Sequence, residues 1–196
     1  MTRIERAVGV LRDGGVVAYP TDTLYGLAVD PRRDDAVEKL FAVKGRDLSA
    51  AIPLIAADLA QAELVVEFGD TERRLARAFW PGPLSIVAPV KHGVSRMVLA
   101  GRSSVAVRVP AHRVAADLAA AFGFCITSTS ANLSGEPATA DPAVVTRTLA
   151  GRIDFVLDEG PAPGGPPSTI VEVREGRPTL VREGAVAWER VLISLK

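Results

Sequence analysis

The sequence has 196 residues, of which 48% are hydrophobic and 5% aromatic, so it can build a domain whose core is mainly aliphatic. Lysine plus arginine and aspartate plus glutamate both number 23, which gives a formal charge of zero. This balance excludes coating of nucleic acid or anionic membranes through bulk charge, but it leaves room for a local basic pocket. The charged N-terminal segment and the lack of an apolar run of about 20 residues predict a soluble, cytoplasmic protein.

The pattern of apolar residues predicts alternating helices and strands. In chain order these are a helix near 4–11, strands at 16–19 and 24–29, a helix at 36–43 capped by Asp34 or Asp35, a strand at 52–56, helices near 58–66 and 70–79, strands at 84–90 and 104–109, a helix at 114–122, a strand at 124–130, a helix at 141–149, and short strands at 155–157, 169–173 and 179–182. Residues 160–167 are rich in glycine and proline and predict a loop within the domain. The interleaving predicts one α/β domain over residues 1–196, with a mixed sheet.

Residues that commonly build metal or nucleophile sites are scarce. The sequence has one cysteine, Cys125, and two histidines, His92 and His112. Cys125 lies in an apolar stretch, which predicts a buried core thiol. The spacings needed for a zinc site, a Ser-His-Asp triad or a Gly-rich phosphate loop are missing. The chemistry is therefore predicted to use hydroxyl groups, Lys, Arg, backbone amides and a metal ion carried by a ligand, with no protein-built metal site.

Two polar segments interrupt the apolar pattern in the first quarter of the chain. Residues 20–27 read Pro-Thr-Asp-Thr-Leu-Tyr-Gly-Leu, and alternation would place Thr21 and Thr23 on one face at the end of a buried strand. A turn with Asx and hydroxyl caps explains the same residues. Residues 44–46 read Lys-Gly-Arg at a helix C-terminus, where basic side chains either stabilise the helix dipole or clamp a phosphate. Taken alone, residues 20–27 favour the capped turn, and residues 44–46 favour basic side chains that stabilise the helix dipole.

The strand predicted at 104–109 has two chemically different faces. Every second residue is valine and must pack against the core, whereas the opposite face carries Ser104, Ala106 and Arg108. A guanidinium on that face can hold a carboxylate through two parallel hydrogen bonds. An edge strand with a solvated face is an equally good explanation of the pattern.

Four hydroxyl residues, Thr127–Ser130, follow an apolar strand directly. Alternation places Ser128 and Ser130 on one face and leaves Thr127 and Thr129 in or near the core, where each needs a hydrogen-bond partner. A serine-rich loop fits less well, because hydrophobic residues lead straight into the run.

Six segments together resemble the YrdC/TsaC family, the threonylcarbamoyl-AMP synthases. They are residues 20–27, 44–46, 80–83 (Trp-Pro-Gly-Pro), 105–110 (Val-Ala-Val-Arg-Val-Pro), 129–135 (Thr-Ser-Ala-Asn-Leu-Ser-Gly) and 167–170 (Pro-Ser-Thr-Ile), in the family's order across roughly residues 4–184. The resemblance implies a twisted, open α/β mixed sheet with flanking helices and a concave ligand cavity.

The resemblance also implies a reaction and its partners. L-threonine, bicarbonate and ATP, with Mg2+ carried on the nucleotide, would give L-threonylcarbamoyladenylate and pyrophosphate, so that the protein acts as a nucleotidyltransferase. A separate tRNA threonylcarbamoyl transferase would use the adenylate to modify tRNA. Weak contact with tRNA is implied, and contact with a membrane is not.

Site residues are implied position by position. The residues that match threonine-binding positions are Thr23, Arg108, Ser128 and Ser168. Those that match ATP-binding positions are Lys44, Arg46, Ser104, Ser130, Asn132, Ala138 and Arg182. Lys44 and Arg46 also match the catalytic pair, because they would offset phosphate charge.

Several positions depart from the family's pattern, and two other functions compete. Asp47 follows Arg46 where proline is common, Ala50 replaces a polar residue and Ile55 replaces a histidine found in some members, while Ala138 offers only its backbone. A double-stranded RNA-binding module of the same fold is the main alternative, which the neutral charge and few aromatics disfavour. A carbamoyl-transfer enzyme like the related domain of hydrogenase-maturation proteins is the other, but the Cys-rich zinc segments of those proteins are missing here.

Overall fold

The structure is a computed structural model that describes residues 1–45 and 51–196. Its helices are α1 (Arg3–Arg12), α2 (Asp34–Lys44), α3 (Leu59–Val65), α4 (Asp70–Phe79), α5 (Arg96–Leu99), α6 (Arg113–Phe122), α7 (Pro142–Thr148) and α8 (Trp188–Ile193). Its strands are β1 (Val17–Pro20), β2 (Tyr25–Ala28), β3 (Leu54–Ile55), β4 (Leu84–Pro89), β5 (Ser104–Arg108), β6 (Ile126–Thr127), β7 (Thr129–Ser130), β8 (Phe155–Val156), β9 (Thr169–Arg174) and β10 (Arg177–Arg182). The predicted α/β class is confirmed.

Aspartate residues lie at the starts of α2 and α7, and the one before α7 is an N-cap whereas the one at α2 is not. Asp141 caps α7, since its carboxylate accepts a hydrogen bond from the Ala143 N–H at 2.8 Å. The predicted aspartate cap of α2 is wrong, because Arg33 is the N-cap and Asp34 is the first helical residue. The carboxylate of Asp34 instead accepts a hydrogen bond from the Ser95 hydroxyl, which ties α2 to the start of α5.

The strands form two sheets. Among the residues that the structure describes, one sheet has four strands in the order β7-β2-β1-β8, and the other has six in the order β10-β9-β4-β5-β3-β6. Both are mixed, since β1 pairs antiparallel with β2 and parallel with β8, and β4 pairs antiparallel with β5 and parallel with β9. The predicted mixed topology is confirmed, but the strands are divided between two sheets instead of forming one continuous open sheet.

The hydroxyl run is the place where the chain crosses from one sheet to the other. Thr127 pairs with Leu54 in the six-stranded sheet, whereas Thr129 pairs with Leu27 in the four-stranded sheet. Thr127 is fully buried, and its Oγ1 accepts a hydrogen bond from the Val29 N–H at 2.9 Å. The prediction that Thr127 would need a partner in the core is confirmed, because burying an unsatisfied hydroxyl is costly.

The core fixes which face of β5 carries the polar side chains. Val105 and Val107 are buried in the larger hydrophobic cluster. Burial of each such side chain contributes about 1.5–3 kcal/mol, and a register slip of one residue would expose both valines and bury the polar face. Cys125 is also fully buried as predicted, and burial raises the pKa of its thiol to about 12.

The loop at 160–167 has no regular secondary structure, as predicted, but it is tied to the rest of the domain. The Gly164 N–H donates to the Thr23 carbonyl at 2.7 Å, and the Tyr25 hydroxyl donates to the Gly160 carbonyl at 2.7 Å. These bonds hold the loop against the turn between β1 and β2 and against the first residue of β2. Across the described ranges, no helix combines the length and apolar character that crossing a membrane requires.

Candidate active site

A cavity of about 520 Å³ is lined by residues from both sheets and from the segment that crosses between them. This volume lies within the usual range of small-molecule sites, about 300–1,000 Å³. Seven residues that the sequence assigned to ligand binding line it: Thr23, Arg108, Ser128, Ser130, Ala138, Ser168 and Arg182. Side chains that are up to 159 positions apart in the sequence, such as Thr23 and Arg182, therefore face one space.

The turn between β1 and β2 forms one wall of the cavity. The Thr21 hydroxyl donates to the Leu24 carbonyl at 2.7 Å and accepts a hydrogen bond from the Thr23 N–H at 3.2 Å. Thr21 and Thr23 both line the cavity. The hydroxyl-capped turn is thus confirmed, and the same turn presents the two threonines to a ligand, so the structural and functional explanations of this segment are compatible.

Arg108 lies at the C-terminal end of β5 and is nearly buried, with its side chain 8% exposed. β5 is an interior strand between β4 and β3, so the alternative of an edge strand with a solvated face is wrong. The guanidinium Nη1 donates a hydrogen bond to the carboxylate of Asp22, whose side chain is 10% exposed. The second oxygen of Asp22 accepts a hydrogen bond from the Ala111 N–H at 3.3 Å.

Two serines and a second arginine continue the polar surface beside Arg108. The hydroxyl oxygens of Ser85 and Ser168 lie 3.0 Å apart, and Arg182 Nη2 donates to the Ser168 carbonyl at 2.8 Å. Burial, and then the nearby positive charge of Arg108, lower the pKa of Arg182 from its ordinary value. Two guanidinium groups that face one cavity favour an anionic ligand, because the anion stabilises both charges.

Lys44 lies beside the cavity, where the signature segment 129–135 holds it. Its Nζ donates to the Ser130 carbonyl at 2.7 Å and to Asn132 Oδ1 at 2.7 Å. The Ser134 N–H donates to the Lys44 carbonyl at 2.9 Å, so the C-terminus of α2 is fixed to the same segment. The next residue, Gly45, ends the helix in the left-handed conformation, with φ of 59°. The geometry goes beyond a simple dipole interaction, because the ammonium group points to Ser130, which lines the cavity.

One residue that the sequence assigned to the site, Ser104, lies elsewhere, and so does Ile55, a position at which the sequence departs from the family's pattern. Ser104 is at the start of β5, about 13 Å along the strand from Arg108, and it is absent from the described cavity lining. Ile55 is fully buried in the smaller hydrophobic cluster, so its side chain belongs to the core. Three further positions, Arg46, Asp47 and Ala50, fall outside the described residues. Thr129, expected in or near the core, is half-buried and lines the cavity.

Besides Thr129, the structure adds Thr21, Asp22 and Ser85, which sequence reasoning did not assign to the site. Thr21 and Ser85 line the cavity, and Asp22 pairs with Arg108. A signal existed for Ser85, because it is the one polar residue in the strand 84–90. The sequence around Asp22 indicates only a turn residue, because its partner, Arg108, lies 86 positions away.

His112 lies near this site, and its environment predicts that the stability of the folded protein depends on pH. Its Nδ1 is buried and has no hydrogen-bond partner within the described part of the chain. Burial lowers the pKa of His112 below its ordinary value of 6.5, against an opposing effect of the Asp22 carboxylate. A lowered folded pKa means that the unfolded state binds the proton more readily. The contribution of His112 to stability is therefore complete above pH 6.5 and is lost as the pH falls through the folded pKa.

We expect the His112→Asn variant to lose less stability than the unmodified protein between pH 7.5 and pH 5, because asparagine is polar and does not titrate. Urea unfolding at several pH values measures the difference. The matched control is His92→Asn, since His92 is exposed. Parallel stability–pH curves for the His112 variant and the unmodified protein would contradict this prediction.

Comparison with known proteins places these features in a family. The sequence model of the Sua5–YciO–YrdC family, described by the words telomere recombination, matches residues 9–184. The chain belongs to this family. Members of the Sua5–YciO–YrdC family that it resembles include the threonylcarbamoyl-AMP synthase of Halorhodospira halophila, which is 42% identical over 180 residues, covering 89% of this chain and 91% of that protein.

Longer members of the family are also similar. The threonylcarbamoyl-AMP synthase of Pyrococcus abyssi is 35% identical over 190 residues, which cover 96% of this chain and 56% of the relative. The crystal structure of P. abyssi Sua5 complexed with L-threonine superposes with a TM-score of 0.93 at 34% identity, over 98% of this chain and 57% of that one. The chain thus spans a little over half the length of these relatives, and its fold is that of their matching part.

Proposed function

We propose that this protein is an L-threonylcarbamoyladenylate synthase, a nucleotidyltransferase that uses L-threonine, bicarbonate and ATP. The observation that carries the proposal is one cavity that Arg108 and Ser168 share with Ser130 and Arg182. The first two groups suit an amino acid carboxylate and the last two suit phosphate oxygens. The relatives are threonylcarbamoyl-AMP synthases by name, and this name and the complex of P. abyssi Sua5 with L-threonine support the assignment.

Threonine would lie with its carboxylate against Arg108. Asp22 occupies Nη1 of the guanidinium, so the remaining N–H groups would donate to the substrate. The hydroxyl groups of Thr23, Ser128 and Ser168 would surround the polar part of the amino acid. This placement leaves the amine free to react, which the reaction requires.

The reaction needs no protein nucleophile. The threonine amine and bicarbonate form a carbamate with loss of water. A carbamate oxygen then attacks the α-phosphorus of ATP in line, so that a new P–O bond forms while the bond to the bridging oxygen breaks and pyrophosphate leaves. Lys44 and Arg182 would offset the negative charge on the phosphates, and catalysis would come from positioning and charge stabilisation. Arg46 is proposed to act with Lys44 in this role.

Mg2+ is proposed to arrive on the nucleotide. Mg2+ prefers carboxylate, water and phosphate oxygens as ligands. The described lining of the cavity supplies hydroxyl and guanidinium groups but no carboxylate, and the nearby Asp22 is paired with Arg108. These residues do not fit a site in which the protein itself holds the ion, and the roles proposed for Lys44, Arg108 and Arg182 do not depend on such a site.

The wider context follows from the same proposal. A cytoplasmic protein with a single domain over residues 1–196 would release the adenylate to a tRNA threonylcarbamoyl transferase. Its own contact with tRNA would be weak, because the chain carries no net charge.

The decisive experiment measures pyrophosphate release from ATP and bicarbonate with purified protein. Release should depend on threonine, and serine should be poorer by about ten-fold or more, the scale of one missing methyl group in a shaped site. Release that is independent of the amino acid would reject the proposal. Salt-sensitive RNA binding without turnover would favour the RNA-binding alternative, and exchange dependent on carbamoyl phosphate would favour carbamoyl transfer.

A further inference from the structure

The ion pair between Asp22 and Arg108 joins two distant parts of the fold. Asp22 lies in the turn between β1 and β2, and Arg108 ends β5 in the other sheet. Both side chains are at least nine-tenths buried in this pair, with exposures of 10% and 8%. Asp22 is itself fixed by the Ala111 N–H, which donates to its second oxygen at 3.3 Å. Because both of its oxygens accept hydrogen bonds, the Asp22 carboxylate has a fixed position from which it can orient the Arg108 guanidinium.

Burial explains why such a support is needed. A guanidinium that is removed from water without a counter-charge is strongly destabilised. Among the described residues, Asp22 is the side chain that accepts a hydrogen bond from the Arg108 guanidinium. Without it, Arg108 would lower its energy by turning toward solvent or toward another acceptor, and its remaining N–H groups would no longer have a fixed direction.

The position of Asp22 relative to the cavity separates its role from that of a substrate contact. Its neighbours Thr21 and Thr23 line the cavity, and so does Arg108, whereas Asp22 is not part of the described lining. Asp22 therefore acts on a ligand through Arg108. It occupies Nη1 and, within the described part of the chain, leaves the other N–H groups of the guanidinium without a protein acceptor.

We propose that Asp22 is a positioning residue that orients Arg108 toward the cavity and thereby sets the affinity for the carboxylate of the amino acid substrate. This inference rests on the proposed function. It assigns the aspartate between the two threonines of the β1–β2 turn to the amino acid half of the site and not to the nucleotide half. Asp22 fixes which guanidinium N–H groups remain for the ligand, so it also fixes the angle at which the carboxylate binds.

The test measures threonine and ATP binding separately by titration calorimetry on the full chain. Asp22→Ala should weaken threonine binding about ten-fold or more, the scale of one lost hydrogen bond to a charged group. ATP binding should change by less than about two-fold, since the ATP-binding groups are elsewhere in the cavity. Asp22→Asn should stay within about three-fold of the unmodified protein, because its amide oxygen can still accept from Nη1. If Asp22 served only to stabilise the fold, its loss would weaken the binding of threonine and of ATP alike.

A matched variant controls for the loss of a buried carboxylate. Asp30 is also nearly buried, at 6% side-chain exposure, and pairs with Arg32 outside the cavity. Asp30→Ala should leave threonine binding unchanged even if it lowers the melting temperature as much as Asp22→Ala does. In an Arg108→Ala background, removing Asp22 should cause no further weakening of threonine binding, because the residue through which it acts is absent.

The outcomes are distinguishable. If the unmodified protein does not bind threonine, the proposed function fails and this inference fails with it. If it binds threonine and Asp22→Ala binds equally well, the proposed function stands and the inference is overturned. Equal loss of threonine and ATP binding in Asp22→Ala, or further loss of threonine binding in the Arg108→Ala background, would also overturn it.

Discussion

Replacing Arg108 with alanine is expected to raise the threonine concentration for half-maximal pyrophosphate release by a factor of about 30 or more. Truncating one partner of a buried, hydrogen-bonded charge pair typically costs about 2–5 kcal/mol. The effect has two parts here, because the substrate carboxylate loses its guanidinium and the nearly buried carboxylate of Asp22 loses its partner. Initial rates at varied threonine and saturating ATP measure the change.

Two further variants identify the cause of such a loss. Arg108→Lys keeps the positive charge but loses the planar guanidinium. Its threonine requirement should therefore lie between that of the Arg108→Ala variant and that of the unmodified protein. Arg32→Ala leaves a nearly buried aspartate, Asp30, unpaired in a comparable way but away from the cavity, and it should leave the threonine requirement unchanged. An Arg108→Ala enzyme with normal threonine dependence would refute the assigned role.

The polar face of β5 could be predicted because the information is local. Alternation with buried valines fixes the direction of Arg108 whatever the neighbouring strands are. The identity of its partner could not be predicted in the same way, since Asp22 and Arg108 meet through pairing of strands that are far apart in the chain. The edge-strand alternative failed for the same reason, because strand order is a property of the whole sheet.

The division of the strands into two sheets also could not be predicted from the sequence pattern. Residues 124–130 read as one strand, and only the partners of Thr127 and Thr129 show that the segment changes sheet between them. The helices α5 and α8 were missed because they have four and six residues, fewer than two turns, which is too short for a 3.6-residue period to be recognised. Such short helices depend on tertiary contacts for their stability.

Individual motifs were ambiguous for a physical reason that the site makes clear. The turn at residues 21–24 and the helix end at Lys44 are stabilised by ordinary capping and hydrogen bonds, and the same groups face or border the cavity. A residue that satisfies local structure and also meets a ligand has no distinctive local pattern. The combination of six segments in order carried the functional information, because chance could produce each segment separately but not the full set.

Lys44 supports the second large prediction, which concerns the nucleotide. Lys44→Ala should lower kcat/KM for ATP by about 100-fold or more, the usual cost of removing one preorganised donor to developing charge. The ammonium group is fixed by the Ser130 carbonyl and by Asn132 Oδ1, each at 2.7 Å, and Ser130 lines the cavity. Rates at varied ATP and saturating threonine measure the effect.

The same helix supplies the control for Lys44. Lys39 also lies in α2, and its Nζ donates to the Gly14 carbonyl at 3.1 Å, away from the cavity lining. Lys39→Ala therefore removes one lysine and one hydrogen bond from α2 without touching the site, and kcat/KM for ATP should stay within about two-fold of normal. Threonine binding should survive in Lys44→Ala, because Arg108 and its support by Asp22 lie on other elements. A Lys44→Ala variant that loses threonine and ATP together would indicate damage to the fold, and one that retains normal ATP use would exclude Lys44 from the phosphate site.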